Sequence, residues 1–233
     1  GPRTSWCFSR GSPHGVAPEG RGECGTVRAA AVQNRPVDDL PAEIAATAAR
    51  MVVEEGLDYG AAKRRAVRQM GLPPRTALPD NDAIEDAVRE YIALFCADTQ
   101  PAELRVLRQT ALVWMERLAE FRPHLAGAVW RGTATRMSPI HLQLFCDDPK
   151  SAEIALIDKG VRYEVGSVPG FQGETVDALS ISVPVREWGE SAIVLLMIYD
   201  HDDLRGALKP DAQGRTSRGP LEAVRRLLSE EKE

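Results

Sequence analysis

Between Gly127 and Leu144 the chain reads G-A-V-W-R-G-T-A-T-R-M-S-P-I-H-L-Q-L. Arg131 and Arg136 flank its central turn, and guanidinium forks match phosphate oxygens well. Two acidic turns are the next chemistry-bearing features. Asp147 and Asp148 precede Pro149, and Asp200, His201, Asp202 and Asp203 close a long apolar run. If neighbouring strands join these turns, His141 and His201 with Asp200 or Asp202 would suit Zn²⁺ or Mn²⁺. Adjacent residues in an extended segment point to opposite faces, so Asp147 and Asp148 make a poor two-ligand pair. A turn followed by a helix N-cap is the favoured reading there. The densest basic cluster is Lys63, Arg64, Arg65 and Arg68, with Arg75 beyond. It could meet nucleic-acid phosphates, but no aromatic is interleaved, and a solvated helix face is favoured. Trp114 and Trp130 read as core, on a helical stripe and a strand respectively.

The elements that must position these residues are legible from periodicity. Ile44, Ala48, Met51, Val52 and Glu55 step by three and four from near Asp39, with Gly56 as a stop. A second helix is expected from Tyr59 to Met70, capped by Gly71. A third follows Asp80-Asn81 with Ile84, Val88, Tyr91, Ile92 and Phe95 on one face. A fourth, with Pro101 in its first turn, carries Leu104, Leu107, Ala111, Trp114 and Leu118. Alternation then takes over. Ile140–Phe145 reads as a half-buried strand, and Val161, Tyr163 and Val165 as another. Leu179 to Val185 is a third, with Pro184 marking an edge or an end. Ala192 to Tyr199 reads as a central strand buried on both faces. Ser151 to Lys159 and Leu221 to Leu228 read as helices. Helices followed by a small mixed sheet with flanking helices give an α+β class. The expected organisation is a disordered segment over 1–38, a helical region over 39–98 and an α+β domain over 99–233. The first segment holds six glycines, four prolines and five arginines and lacks periodicity.

The Gly127–Leu144 segment resembles the signature of the nucleotidyltransferase-fold superfamily, the DNA-polymerase-beta-like and minimal nucleotidyltransferases. That signature is G-S-x-A-R-G-x-A-x-x-x-S-D-I-D-L. Gly127, Arg131, Gly132, Ala134, Ser138, Ile140 and Leu142 fall in register without a gap. The likeness is close over about these 18 residues and loose over 99–228, through element order. It implies a glycine turn whose backbone approaches a nucleotide triphosphate. It also implies two aspartates at i and i+2 on a strand, holding Mg²⁺ with a third carboxylate from a neighbouring strand. This sequence has Ala128 at the serine position, Pro139 and His141 at the aspartate positions, and no acid within 192–199. A proline offers no oxygen donor and an imidazole is a poor partner for a hard cation. The resemblance therefore implies a catalytically degenerate bacterial member of the superfamily, with no metal and no other cofactor. Gly127, Arg131, Gly132, Ser138 and His141 are its candidate ligand-binding residues. A nucleotide, a phosphate ligand or a protein partner would be held without turnover. One alternative is an active metal-dependent transferase with relocated ligands at Asp147, Asp148, Asp200 and Asp202. Another is a helical module binding RNA or protein, using Lys63, Arg64, Arg65 and Arg68.

Composition narrows the remaining classes. The formal charge is −5 over 233 residues, which gives no global attraction to nucleic acid or anionic lipid. No apolar run reaches the roughly 20 residues that span a bilayer, and no membrane partner is expected. Cys7, Cys24, Cys96 and Cys146 are scattered without a C-x-x-C pair, so free thiols in a reducing cytoplasm are expected. G-x-x-x-x-G-K-[ST], G-x-G-x-x-G and G-x-S-x-G are all absent.

Overall fold

The structure, a computed structural model, describes residues 39–170, 173–204 and 216–231. The expected disordered segment 1–38 lies outside them. Four helices come first: α1 (Leu40–Glu55), α2 (Tyr59–Gln69), α3 (Asn81–Phe95) and α4 (Gln100–Arg117). Each start has a local cause. Asp58 and Asp80 accept hydrogen bonds from the Ala61 and Ala83 amides as N-caps. Prolines occupy the first turns of α1 and α4. Ile44, Ala48, Met51 and Val52 of α1 pack with Ala62, Ala66, Ile84, Val88 and Ile92 into one cluster. Phe95, expected on that face, is instead 70% exposed and lies against Tyr91 at 4.7 Å between ring centroids. It is the last residue of α3.

A six-stranded mixed sheet follows, built from β1 (His124–Ala126), β2 (Ile140–Phe145), β3 (Glu164–Pro169), β4 (Thr175–Val185), β5 (Glu190–Tyr199) and β6 (Arg218–Pro220). Its order is β3-β4-β5-β2-β1-β6, with β2 and β5 parallel and all other neighbours antiparallel. Short α5 (Gly127–Arg131) joins β1 to the loop before β2. Helix α6 (Pro149–Asp158) follows β2, and α7 (Leu221–Glu230) follows β6. The molecule is α+β.

Helices α4, α6 and α7 cover one sheet face. Leu107, Met115, Leu156 and Val224 pack there on Ile140, Leu142, Leu144, Val194 and Leu196. The opposite face carries His141, Gln143 and Phe145, so β2 is covered on both sides rather than half-buried. Strand β5 differs in the other sense: Val194, Leu196 and Ile198 are buried, while Ile193 is 41% exposed and Leu195 and Met197 are half-buried. A continuous apolar run does not distinguish the two sides of a strand, and here only one is fully covered. Pro184 lies near the end of β4 opposite Ser191, beyond the stretch that β3 pairs, where a strand tolerates proline best. Strand β3 begins at Glu164, later than expected, and Val165 is exposed at the sheet edge. Trp130 belongs to α5, not to a strand.

Candidate functional site

The glycine-arginine motif of the sequence forms the passage from β1 through α5 to β2. Gly127 opens α5 at φ 69°, and Gly132 ends it at φ 83°. Buried Arg108 of α4 clamps the end of α5. Its Nε donates to Val129 O at 3.1 Å, its Nη2 donates to Trp130 O at 3.2 Å, and its Nη1 meets Glu231. Gln100 donates to the Gly132 and Ala134 carbonyls at 3.1 and 2.8 Å. The loop then folds on itself, the Thr135 amide donating to Ser138 Oγ at 3.1 Å. Thr135 Oγ1 donates to Val53 O of α1, and Glu103 accepts from the Arg136 amide. The motif is thus fixed by helices far from it in sequence.

That arrangement borders a half-open cavity of about 340 Å³. Gly127, Ala128, Arg131, Ser138, Pro139 and His141 form one wall, and Val52, Gly56, Leu57, Asp58 and Tyr59 form the other. Four of the five residues expected to bind a ligand therefore line one space. Gly132 lies outside the lining, where its carbonyl is held by Gln100. The glycine-arginine motif carries no mark of the second wall. Gly56 and Asp58 are visible in sequence only as helix punctuation. Gly56 is required by position: at φ 69° a Cβ would stand 2.5 Å from Met137 O.

The cavity's titratable lining residues are Asp58, Tyr59, Arg131 and His141. His141 is held below the ordinary imidazole range, chiefly by burial and further by the nearby Arg131 charge, so it sits neutral. A neutral imidazole donates from one nitrogen and accepts at the other. Arg131 Nε lies 2.6 Å from Glu85 Oε2 of α3. Arg89 Nη2 donates to Glu85 Oε1 at 2.7 Å and to Arg131 O at 3.2 Å. The Arg131 guanidinium also lies 5.5 Å from the Tyr59 ring centroid. The Tyr59 phenol is raised above its usual range, mainly by burial, with Arg131 opposing the shift.

These residues do not fit the Mg²⁺ that the resemblance implies. The two positions are Pro139, just before β2, and the neutral imidazole of His141 on β2 beside a guanidinium, which disfavours a cation. His141 pairs in register with Leu195 of β5, so the adjoining strand brings an apolar side chain there rather than a carboxylate. The Asp58 carboxylate on the facing wall is already committed through Oδ1 to the Ala61 amide at 2.9 Å.

The acidic turns lie elsewhere. They follow the C-terminal ends of the parallel neighbours β2 and β5, where the Cys146 amide donates to Tyr199 O. His201 Nε2 comes to 4.0 Å from Asp147 Oδ1. The Cys146 thiol is pushed up by burial and then by Asp148, Asp147 and Asp200. Asp148 caps α6 and Asp200 caps the turn His201–Asp203. His141 and His201 do not converge. With His141 opposite Leu195, six residues at about 3.3 Å each separate them along the sheet. Among the described residues, no group of three or more His, Cys, Asp or Glu side chains is placed to hold a metal ion.

The basic cluster divides. Lys63 is buried and its Nζ donates to Asn81 Oδ1 at 2.8 Å, and burial lowers its pKa. Arg64, Arg65 and Arg68 face outward, with Arg65 paired to Glu55. Trp114 is core, as expected, while Trp130 is half-buried with its Nε1 donating to Thr216 O at 2.7 Å.

No protein-family model matches this chain, and no curated protein matches it. Among solved structures it is similar to Cid1 in complex with the UTP analogue UMPNPP, at 13% identity and a TM-score of 0.31. That match covers 49% of this chain and 36% of the Cid1 chain. A second Cid1 structure, with its short product ApU, gives 14% identity and a TM-score of 0.32 over 50% and 37%. The chain thus matches little more than a third of the Cid1 chain's length, and a likeness this faint carries no argument about function. Among the described residues no helix is long and apolar enough to cross a membrane.

Proposed function

We propose that this chain is a nucleotidyltransferase-like protein that has lost metal-dependent transfer and retains its cleft as a small-ligand pocket. The observation that carries this reading is one cavity. Gly127, Arg131, Ser138 and His141 meet in it, while the positions at which the superfamily places metal-binding aspartates hold Pro139 and His141. A nucleotide is the ligand class to which the in-register motif points. The space of about 340 Å³, the neutral imidazole and the Ser138 hydroxyl suit a base or sugar with both donors and acceptors. A reducing cytoplasm is its place of action in this reading, in keeping with the free thiols of Cys96 and Cys146.

Calorimetry of the full chain with the four ribonucleosides and their triphosphates, with and without Mg²⁺, tests the proposal. Binding that is indifferent to Mg²⁺ and weakened by His141→Ala is expected, with no nucleotide transfer to a hydroxyl acceptor. Metal-dependent transfer that His141→Ala abolishes would overturn it.

A further inference from the structure

We propose that Glu85 is a built-in rival for the anion that Arg131 would otherwise grip, and so sets how much a ligand's phosphates add to binding. The inference rests on the pocket reading above and concerns the specificity of that pocket. Arg131 is the only Lys or Arg among the described residues lining the cavity. Its guanidinium is already engaged by a carboxylate, Glu85 Oε2 at 2.6 Å. The Glu85 side chain is only 11% exposed. It is steadied by Arg89, whose Nη2 reaches both Glu85 Oε1 and the Arg131 carbonyl, and by the Tyr59 hydroxyl at 3.4 Å.

Glu85 is not among the residues lining the cavity, and it acts by already neutralising the guanidinium that a phosphate would meet there. An incoming phosphate must share Arg131 with it or displace it, and displacement leaves a mostly buried charge with one fewer cation. Asp58 on the facing wall adds a second negative group that an anion must approach. In the native chain a ligand's uncharged part therefore supplies its affinity, and its phosphates add little. A simple strut between α3 and α5 would contain the same ion pair, but it predicts a different outcome. Removing the Glu85 charge would then cost stability and yield no gain for anions.

The test uses the full chain, with inorganic pyrophosphate, uridine and UTP as probes, without Mg²⁺ and at fixed salt. The native protein is expected to bind uridine and UTP with closely similar affinity and to ignore pyrophosphate. Glu85→Gln should tighten UTP and pyrophosphate by about tenfold or more, equivalent to about 1.4 kcal/mol, and leave uridine unchanged. Adding Arg131→Gln should erase the gain. If Glu85→Gln does not fold, Glu85→Asp carries the test. It keeps the charge and withdraws the carboxylate by one methylene, and a smaller gain of the same sign is expected. The inference is overturned if the native chain binds UTP far more tightly than uridine through Arg131, or if neither Glu85 variant gains affinity for pyrophosphate. The pocket reading fails separately: uridine would then not bind, even where Glu85→Gln gains pyrophosphate.

Discussion

Gly127 lies so close to His141 that a Cβ placed on the glycine would come within 2.7 Å of the imidazole Nδ1. The first residue of α5 and the second residue of β2 thus share one small volume. Two constraints meet at Gly127, because its φ of 69° is also unfavourable to any residue with a side chain. Gly127→Ala is expected to cost about 1–2 kcal/mol from backbone strain alone, and more from the clash. The melting temperature should fall by roughly 2–4 °C per kcal/mol for a domain of this size. His141→Ala in the same chain should return the steric part, so a double-mutant cycle would be non-additive. Additive costs would mean that the two residues do not contest the same space.

Stability should fall on acidification, and His141 is one reason. His141 and His124 are both held below the ordinary imidazole range, chiefly by burial. The unfolded chain takes up protons near pH 6.5 that the folded chain refuses. Stability is therefore fully present above about pH 6.5 and declines below it. Each histidine contributes up to about 1.4 kcal/mol per pH unit until its native pKa is reached. Urea titrations at pH 7, 6 and 5 should show this slope, and His141→Gln should make it shallower. An unchanged slope would remove His141 from the account.

Arg108 supports the pocket without lining it. It donates to two carbonyls at the end of α5 and meets Glu231 at the end of α7. Arg108→Met would leave those carbonyls without this donor and Glu231 without its cation. A loss of about 3 kcal/mol or more is expected from denaturant unfolding. Glu231→Gln leaves the buried guanidinium without its anion but keeps both carbonyl bonds, and should cost less than Arg108→Met.

The basic stretch of α2 should separate in mutagenesis. Lys63→Met removes the half-buried bond to Asn81 at the start of α3 and is expected to cost about 1 kcal/mol. Arg64→Gln and Arg68→Gln, on the outer face, should stay within about 0.5 kcal/mol. Any salt-dependent RNA binding should respond to the two arginines and not to Lys63. The reverse pattern would mean that the helix presents another face.

Much of the fold could be read from residue order because its signals are local. Asp80 marks a helix start through its side-chain cap, Pro101 and Gly56 mark helix ends through their backbone preferences, and the alternation over Ile140–Phe145 gives that strand its limits. Phe95, Trp130 and Lys63 were misplaced for a common reason. Their surroundings depend on which element packs opposite, and periodicity carries no such information. The site divides in the same way. Gly127, Arg131, Ser138 and His141 lie within 15 consecutive positions and a linear pattern could collect them. Tyr59, Asp58 and Glu85 reach the same place only through the packing of α1, α2 and α3.

The stop of α1 against the loop before β2 ties two distant stretches of chain to one another. Residue 56 has no room for a side chain while Met137 keeps its backbone where it is. Any descendant that enlarges position 56 must therefore also reshape the loop carrying Ser138 and Pro139. A fragment beginning at Thr99 would keep the whole glycine-arginine signature yet present its cleft with one side missing.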